Sequence, residues 1–526
     1  MTLQIDGERT ASVIRADAWQ GTMGWLTPPS DSERDEYLAG GQHRWLFWAQ
    51  AIAMIGVAIS LYGMAQNTYW TIVFLVPLIA FVGEQLLALR TSTFRRRVDL
   101  ASHRRTVRDW SPARVPSVDV FLPVCGEEVE LIDNTAYHVS KMRWPGRLTV
   151  YLLDDAGDPS VAALARRYGF QYIARPGSAY KKAGNLQWAL ERSTGDHITI
   201  LDADFAPRED YLLELIPYMD DPSVGIVQSP QLFFTAKKMT WLERCAGATQ
   251  EMFYRFIQPS RDAVGAAICV GTSAVYRRAA LQAIGGFPQI GHSEDVYTGI
   301  EMAKEGYQLK YVSTLVSRGR CPDDLDSFIM QQYRWCEGSM SLLADPRFHL
   351  ERSMTLGQRA SYWSGFAYYV TTSMNALLAP IAVLVMLWFF PDRVSNGNVL
   401  LLLAAVLLWL LVFPMLAAGR WRIEVFRVQA VYGFAHLFCL FDLIRGRSME
   451  WRPTGASTSR KPGAARVRIT MAAYLLATQV LVVAGLAWDT ARYGIDHYWA
   501  LLPLMALNAY IALPVAWLAV KRTVRA

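Results

Sequence analysis

The sequence predicts a multi-span α-helical membrane protein with a soluble α/β domain inserted between its second and third spans. Three observations carry that prediction. The 526 residues are 52% hydrophobic yet 19% charged, with a mean hydropathy of +0.14. That is too apolar for an ordinary soluble chain and too charged for one lying wholly in lipid. Runs long enough to cross a bilayer, about 20 mostly apolar residues, fall at 45–64 and 71–89, and then at 368–390, 399–418, 469–488 and 498–520. Between 89 and about 362 no run qualifies, and short β-rich runs alternate there with helical stretches.

The elements follow in order. Residues 1–43 form a polar N-terminal segment without the short apolar core of a signal peptide. Two spans occupy 44–90, the soluble domain 91–350, and an interfacial helix with two spans 351–420. Residues 421–467 hold a second interfacial helix and a loop, and 468–526 hold the last two spans. The apolar segment 426–443 carries Arg427, His436 and Asp442, so it is expected to lie along the membrane. A seventh span there is the competing reading, and it would reverse the last two.

Charge sets the expected orientation. RTSTFRRR, SHRRTVR, GRWR, RGR, SRKPGAARVR and KRTVR fall on one side, whereas AQNTYW, PDRVSNGN and DTARYGIDH on the other carry few Lys or Arg. The positive-inside rule places both termini and the soluble domain in the cytoplasm of a plasma (inner) membrane protein. These flanks account for the net charge of +6, so no nucleic-acid partner is expected. The six cysteines include no CxxC pair, and reduced thiols are expected.

Within the soluble block, VDVFLP, LTVYLLD, FQYIA, HITILD, VGIVQS and YQLKYVS read as strands, and 159–168, 181–192 and 208–218 read as helices. Such alternation predicts a mainly parallel sheet with ligands beyond the carboxyl ends of its strands. Acids stand at those ends: Glu127, then Asp154 and Asp155, then Asp202 and Asp204. Asp158, before Pro159, reads as a helix cap. The DAD pair can converge on one hard cation, Mg²⁺ or Mn²⁺, with diphosphate oxygens completing its shell. Glu294 and Asp295 stand where a helix starts; they either cap it or supply a general base. In SFIMQQYRWCEGSMSLL, Gln331, Arg334 and Trp335 share one helix face shortly before the third span.

Taken in order, DDA, KKAGN, DAD, SED and QQYRW resemble the motifs of processive family 2 glycosyltransferases, the group of bacterial cellulose synthase catalytic subunits, hyaluronan synthases and chitin synthases. The resemblance runs over roughly 118–345 and implies a Rossmann-like GT-A domain. It further implies a UDP-sugar donor held by Glu127, Asp154 or Asp155, Lys182, Asp202 and Arg334, a divalent metal on Asp202 and Asp204, and Asp295, beside Glu294, as catalytic base. Gln331 and Trp335 would hold the growing polysaccharide at a membrane channel. WRPTG, with Thr454, is similar in position to the gating loop of cellulose synthases; a lipid-facing linker is the plainer reading of its composition. Membrane lipid and an accessory export subunit are the remaining implied partners.

The chain departs from the family pattern in places. Gly126 stands where Asn is usual, Phe205 where His often follows DxD, Gln332 at the second position of Q(Q/R)xRW, and WRPTG in place of FxVTxK. No cyclic-dinucleotide-binding barrel is expected after the last span. The expected reaction is inverting, processive transfer from UDP-glucose into a β-linked glucan that crosses the membrane. A chitin- or hyaluronan-type synthase using UDP-GlcNAc, a non-processive lipid-carrier glycosyltransferase, and a transporter with Glu84 and Asn375 in its pathway are the alternatives.

Overall fold

A computed structural model describes residues 26–39, 45–66, 75–94, 96–236, 238–394, 396–416, 422–449 and 462–525. Two apolar helices come first, α1 (Trp45–Gln66) and α2 (Leu75–Ser92), packed against each other. The α/β domain follows as β1 (Val118–Val124), α3 (Val129–Ser140), β2 (Leu148–Asp154), α4 (Pro159–Tyr168), β3 (Gln171–Ala174), α5 (Lys181–Leu190) and β4 (His197–Ile200). It continues through β5 (Phe205–Pro207), β6 (Val224–Gln228), β7 (Leu232–Phe233), α6 (Trp241–Met252), β8 (Ala274–Arg277), α7 (Glu294–Lys304), β9 (Gln308–Tyr311), β10 (Ser317–Gly319) and α8 (Leu325–Leu343). The chain then returns to long apolar helices: α9 (Leu356–Phe389), α10 (Asn396–Leu416), α11 (Val425–Ile444), α12 (Pro462–Tyr493) and α13 (Leu501–Arg525). The expected architecture, a multi-span helical protein with an inserted α/β domain, is therefore present.

Seven strands form one sheet in the order β3-β2-β1-β4-β8-β6-β9. β1 pairs in parallel with β2, from Val118↔Leu148 to Val124↔Asp154, and with β4 on its other side. All seven β1 residues are buried, as a strand covered on both faces requires. Its one acid, Asp119, meets Arg278 at 2.9 Å and the Gly195 N–H at 2.5 Å, so the buried charge is paired. Each of the six expected strands is present, and the helix at 159–168 has the expected bounds. The stretch 208–218 differs. Its α-helix begins at Tyr211 and gives way to a 3₁₀ turn over Ile216–Asp220, because Arg208 turns back onto Asp210 and Asp31.

The sheet is mixed, not simply parallel. β8 lies antiparallel between β4 and β6, and it runs straight into the helix Arg278–Ala283, with no turn residue to mark it off. A second sheet, β5-β10-β7, is built of strands of two or three residues and carries no periodic signature. Residues 26–39 form an N-terminal strap across that sheet and its neighbours. Arg34 pairs with Asp210 and Glu214, Arg318 with Glu33 at 2.5 Å, and the Tyr37 side chain is buried.

By length and composition six described helices can cross a membrane: Trp45–Gly63, Leu75–Ser92, Leu356–Phe389, Val425–Ile444, Pro462–Tyr493 and Leu501–Lys521. Their membership differs from the sequence reading. The described apolar run of α10, Val399–Val412, is shorter than a span, whereas α11 qualifies. Yet α11 is 56% buried inside the protein, packed against α8 and α9. Its polar groups find protein partners there. Arg427 donates to Tyr510 O, His436 Nδ1 meets Thr372 Oγ1 at 2.8 Å, and Asp442 meets Tyr333 and Arg466. No separate interfacial helix occupies the start of the 351–420 segment; a capping box at Thr355 starts α9 there, and the helix runs on unbroken.

One ion pair ties the soluble domain to the membrane helices. Arg468 of α12 donates to Asp326 of α8 at 2.8 Å and to Ala519 O of α13 at 2.8 Å. Both charged side chains are buried. Removing one partner of such a pair typically costs about 3–5 kcal/mol, whereas replacing both is near neutral. Arg468→Met is therefore expected to lower the thermal midpoint of the detergent-solubilised protein, and adding Asp326→Leu to restore most of it, as a fluorescence melting series will measure.

Candidate active site

Parallel register brings the carboxyl ends of β1, β2 and β4 side by side, and the acids that follow them share one crevice. Asp154 and Asp155 are the exceptions, being committed to the protein itself. Asp154, 1% exposed, accepts from Ala156 N (2.8 Å), Asp158 N (2.7 Å) and Tyr172 Oη (2.9 Å). Asp155 is gripped by the Arg175 fork at 2.6 and 2.8 Å. These two acids shape the loop after β2 and do not stand open in the crevice. Asp158 caps α4 through Ser160 N, as expected.

Glu127, Asp202 and Asp204 converge. Burial raises the Glu127 carboxyl, and the charges of Asp202 and Asp154 add to the rise. Asp204 is pushed up to about 7, first by burial and then by the charges of Asp202 and Glu127. Lys182, at the start of α5, answers them: its Nζ donates to Asp202 Oδ1 at 2.5 Å and to Gly271 O at 2.8 Å. Burial alone would lower its ammonium, but the charges of Asp202 and Glu294 hold it raised. Asn185 of the same helix donates to Leu153 O, locking α5 to the end of β2.

Asp295 stands on the other side of Gly271. A methyl on Gly271, whose φ is +77°, would lie 2.8 Å from Asp295 Oδ2, so only glycine fits there. Asp295 does not cap α7. The N-cap is Ser293 and makes no side-chain cap bond, while Asp295 Oδ1 accepts only from the adjacent Val296 N–H in this turn. The Asp295 carboxyl is pushed up to about 7, by burial first and the Glu294 charge second. Glu294 thus acts as the neighbouring charge that keeps Asp295 basic.

α8 closes the crevice. A side chain on Gly338 would collide with Ser293 Oγ, so glycine lets this helix approach the Glu294–Asp295 turn. Gln332, Tyr333 and Cys336 face inward and are buried, while Gln331, Arg334 and Trp335 lie half-buried on one face. Arg334 interacts with Glu294, Asp202 and Asp295; burial lowers its guanidinium and these charges oppose that. Thr454 lies outside the described residues.

The negative donor set fits a hard divalent cation. Among the described residues no group of three or more His, Cys, Asp or Glu is arranged to hold a metal. A cation held by fewer than three such ligands would need other oxygens to complete its shell.

Sequence reasoning missed the backbone that assembles these groups. Among the described residues four non-glycine residues have positive φ, namely Tyr180, Lys181, Ser273 and Ser293. All four flank Lys182, Gly271 or Asp295. Such strain typically marks functional turns. It leaves no mark in residue types, because a serine or tyrosine does not announce it. Arg175, which also donates to Ala179 O and Lys181 O, was likewise not singled out.

Comparison with known proteins bears out the resemblance. Residues 197–420 match the model of glycosyl transferase family group 2. The chain is 31% identical over 295 residues to the cellulose synthase 1 catalytic subunit (UDP-forming) of Komagataeibacter xylinus, covering 55% of this chain and 39% of that one. It is 29% identical over 303 residues to the cellulose synthase catalytic subunit (UDP-forming) of Pseudomonas fluorescens strain SBW25, covering 56% and 40%. The chain thus spans about 40% of the length of these curated relatives. Among solved structures, a mannosyltransferase of Pyrobaculum calidifontis in complex with GDP-Man and Mn²⁺ aligns with a TM-score of 0.41 at 20% identity, over 67% of this chain and 98% of that one.

Gly271→Ala is expected to destabilise the protein by about 1–3 kcal/mol, the usual cost of a non-glycine residue at such a φ, as thermal melting of the purified variant will measure.

Proposed function

We propose that this protein is a processive, inverting hexosyltransferase that polymerises UDP-glucose into a β-linked glucan, 1,4 ahead of 1,3, and passes the product across the inner membrane from a cytoplasmic catalytic domain. The observation that carries this reading is the juxtaposition at Gly271. Lys182 and Asp202, where a leaving diphosphate would sit, meet one face of it, and Asp295 meets the other. The relatives' names, cellulose synthase catalytic subunits, support the donor and the product.

In this reading Lys182 and Arg334 hold the diphosphate, Arg334 through its planar fork. Asp202 and Asp204 would hold Mg²⁺ or Mn²⁺, which when bound neutralises charge building on the leaving group. Asp295 takes the proton from the acceptor hydroxyl as that oxygen attacks the anomeric carbon. A single displacement inverts that carbon, so an α-linked donor gives a β-linked product. Trp335 packs its indole on the apolar face of the terminal sugar, and Gln331 orients a hydroxyl. Glu127 lies near the nucleotide, with Asp154 and Asp155 shaping the loop beside it. Thr454 belongs to the loop that closes over the nucleotide and excludes water.

Three outcomes test this. Incubating the purified protein with UDP-glucose and Mg²⁺ or Mn²⁺ is expected to release UDP and yield a polymer that a β-1,4-specific glucanase digests; chelation with EDTA stops synthesis. Asp295→Asn is expected to abolish transfer while UDP still binds, whereas near-normal polymer synthesis by that variant would remove the base assignment. The base works unprotonated and its carboxyl lies near 7 in the folded protein. kcat/KM should therefore rise tenfold per pH unit below about 7 and level above it. The sign for stability is opposite. Asp204 and Asp295 bind protons more tightly folded than unfolded, where carboxyls titrate at about 4. Their contribution to the stability of the donor-free protein should therefore fall as pH rises from about 4 through 7, and Asp204→Asn should flatten that part of the stability–pH curve.

A further inference from the structure

The segment 270–273, VGTS, carries no charge, yet it adjoins three of the charged groups, Lys182, Asp202 and Asp295. Gly271 O accepts from Lys182 Nζ at 2.8 Å, and Thr272 Oγ1 accepts from the Asp202 N–H at 2.9 Å. Asp295 leans on Gly271 itself. The segment holds φ of +77° at Gly271 and +56° at Ser273. A non-glycine residue in that region is strained and persists only when its surroundings over-determine it.

Two glutamines of the sequence QSPQ do so. Gln228, fully buried, accepts the Val270 N–H at Oε1 (3.0 Å) and sends Nε2 to Thr272 O (2.8 Å), Ser273 O (3.2 Å) and Ser229 O (2.8 Å). Gln231 donates to Val270 O at 2.8 Å, and its own Oε1 accepts from Tyr254 Oη at 2.8 Å. Side chains thus hold the N–H and the C=O of Val270 together with the carbonyls of Thr272 and Ser273. Gln228 ends β6, and its backbone C=O accepts from Val312 N at 2.9 Å, so the brace is anchored in the sheet.

We propose that Gln228, seconded by Gln231, is a positioning residue that fixes the separation between the diphosphate-holding groups Lys182 and Asp202 and the base Asp295. This rests on the glycosyl-transfer reading above. Gln228 touches neither substrate nor base; it acts through the 270–273 segment. Releasing the segment leaves the groups present but loose. Donor binding then survives, while attack by the acceptor hydroxyl, which needs near-attack geometry, does not. Water needs less precise alignment than a polymer end, so donor hydrolysis gains on transfer.

The test uses Gln228→Met, which keeps the bulk and removes every one of those hydrogen bonds, in the full-length detergent-solubilised protein. UDP-binding sites are counted by calorimetry, and donor turnover is divided between polymer and free sugar. The expected result is polymer formation per UDP-binding site down about 10- to 100-fold, donor KM within threefold, and a larger share of free sugar. Gln231→Leu should move the same readouts in the same direction by less, and it decides the matter if Gln228→Met binds no UDP. Polymer formation per UDP-binding site equal to wild type, or a loss confined to KM, would overturn the proposal. A wild-type protein that binds UDP but turns over no UDP-sugar would overturn the transfer reading first and this one with it, and that result is visible before any substitution is made.

Discussion

A single half-buried ammonium, that of Lys182, organises the crevice. Glu127, Asp202 and Asp204 on one side, and Glu294 and Asp295 on the other, present their charge to a shared low-dielectric space. Such a concentration of carboxylates is unstable unless some are neutralised. Lys182 reaches Asp202 and Gly271 at once, and Arg334 faces the same acids from α8. The arrangement still leaves Asp204 and Asp295 with carboxyls near 7. Further positive charge in this space is therefore favoured.

The second theme is rigidity between the soluble domain and the membrane helices. α8 carries Arg334 and Trp335 on its half-buried face, and its opposite face is core. Phe328, Ile329, Tyr333 and Cys336 are all nearly inaccessible to solvent. At one end Asp326 is tied to α12 and α13 through Arg468. In its last turns Gly338 lets the helix sit against Ser293. One packed element therefore touches both the membrane helices and the turn before Asp295, with no loop between.

The legible part of this architecture is the part that rests on local chemistry. Continuous apolar strands, their terminal acids and the spaced motifs were all readable, because burial on both faces and charge at strand ends leave direct traces in residue type. Four classes of feature were not. β8 runs straight into a helix with no turn residue between, and the strands of the small β5-β10-β7 sheet are shorter than any periodicity. The roles of Asp154 and Asp155 depend on which partners reach them, and Tyr172 and Arg175 arrive from the next strand and the loop after it. Gly271 and Gly338 matter for what a side chain would strike, a property of tertiary approach. α11 is apolar enough to be read as a span, and its burial against α8 and α9 appears only in three dimensions.

The strap at 26–39 settles a question of parity. It lies before α1, and the partners that hold it, Asp210, Glu214 and Arg318, lie after α2. Two stretches of chain that touch share one face of a bilayer, so whatever separates them traverses it an even number of times: α1 and α2 both go through or neither does. The same counting applies farther on. Tyr333 touches Asp442, with α9, α10 and most of α11 between them, so those three helices cannot all be traversals. An even count among them is required, and by length and composition α9 and α11 are the pair that can make it, the described apolar run of α10 being shorter than a span.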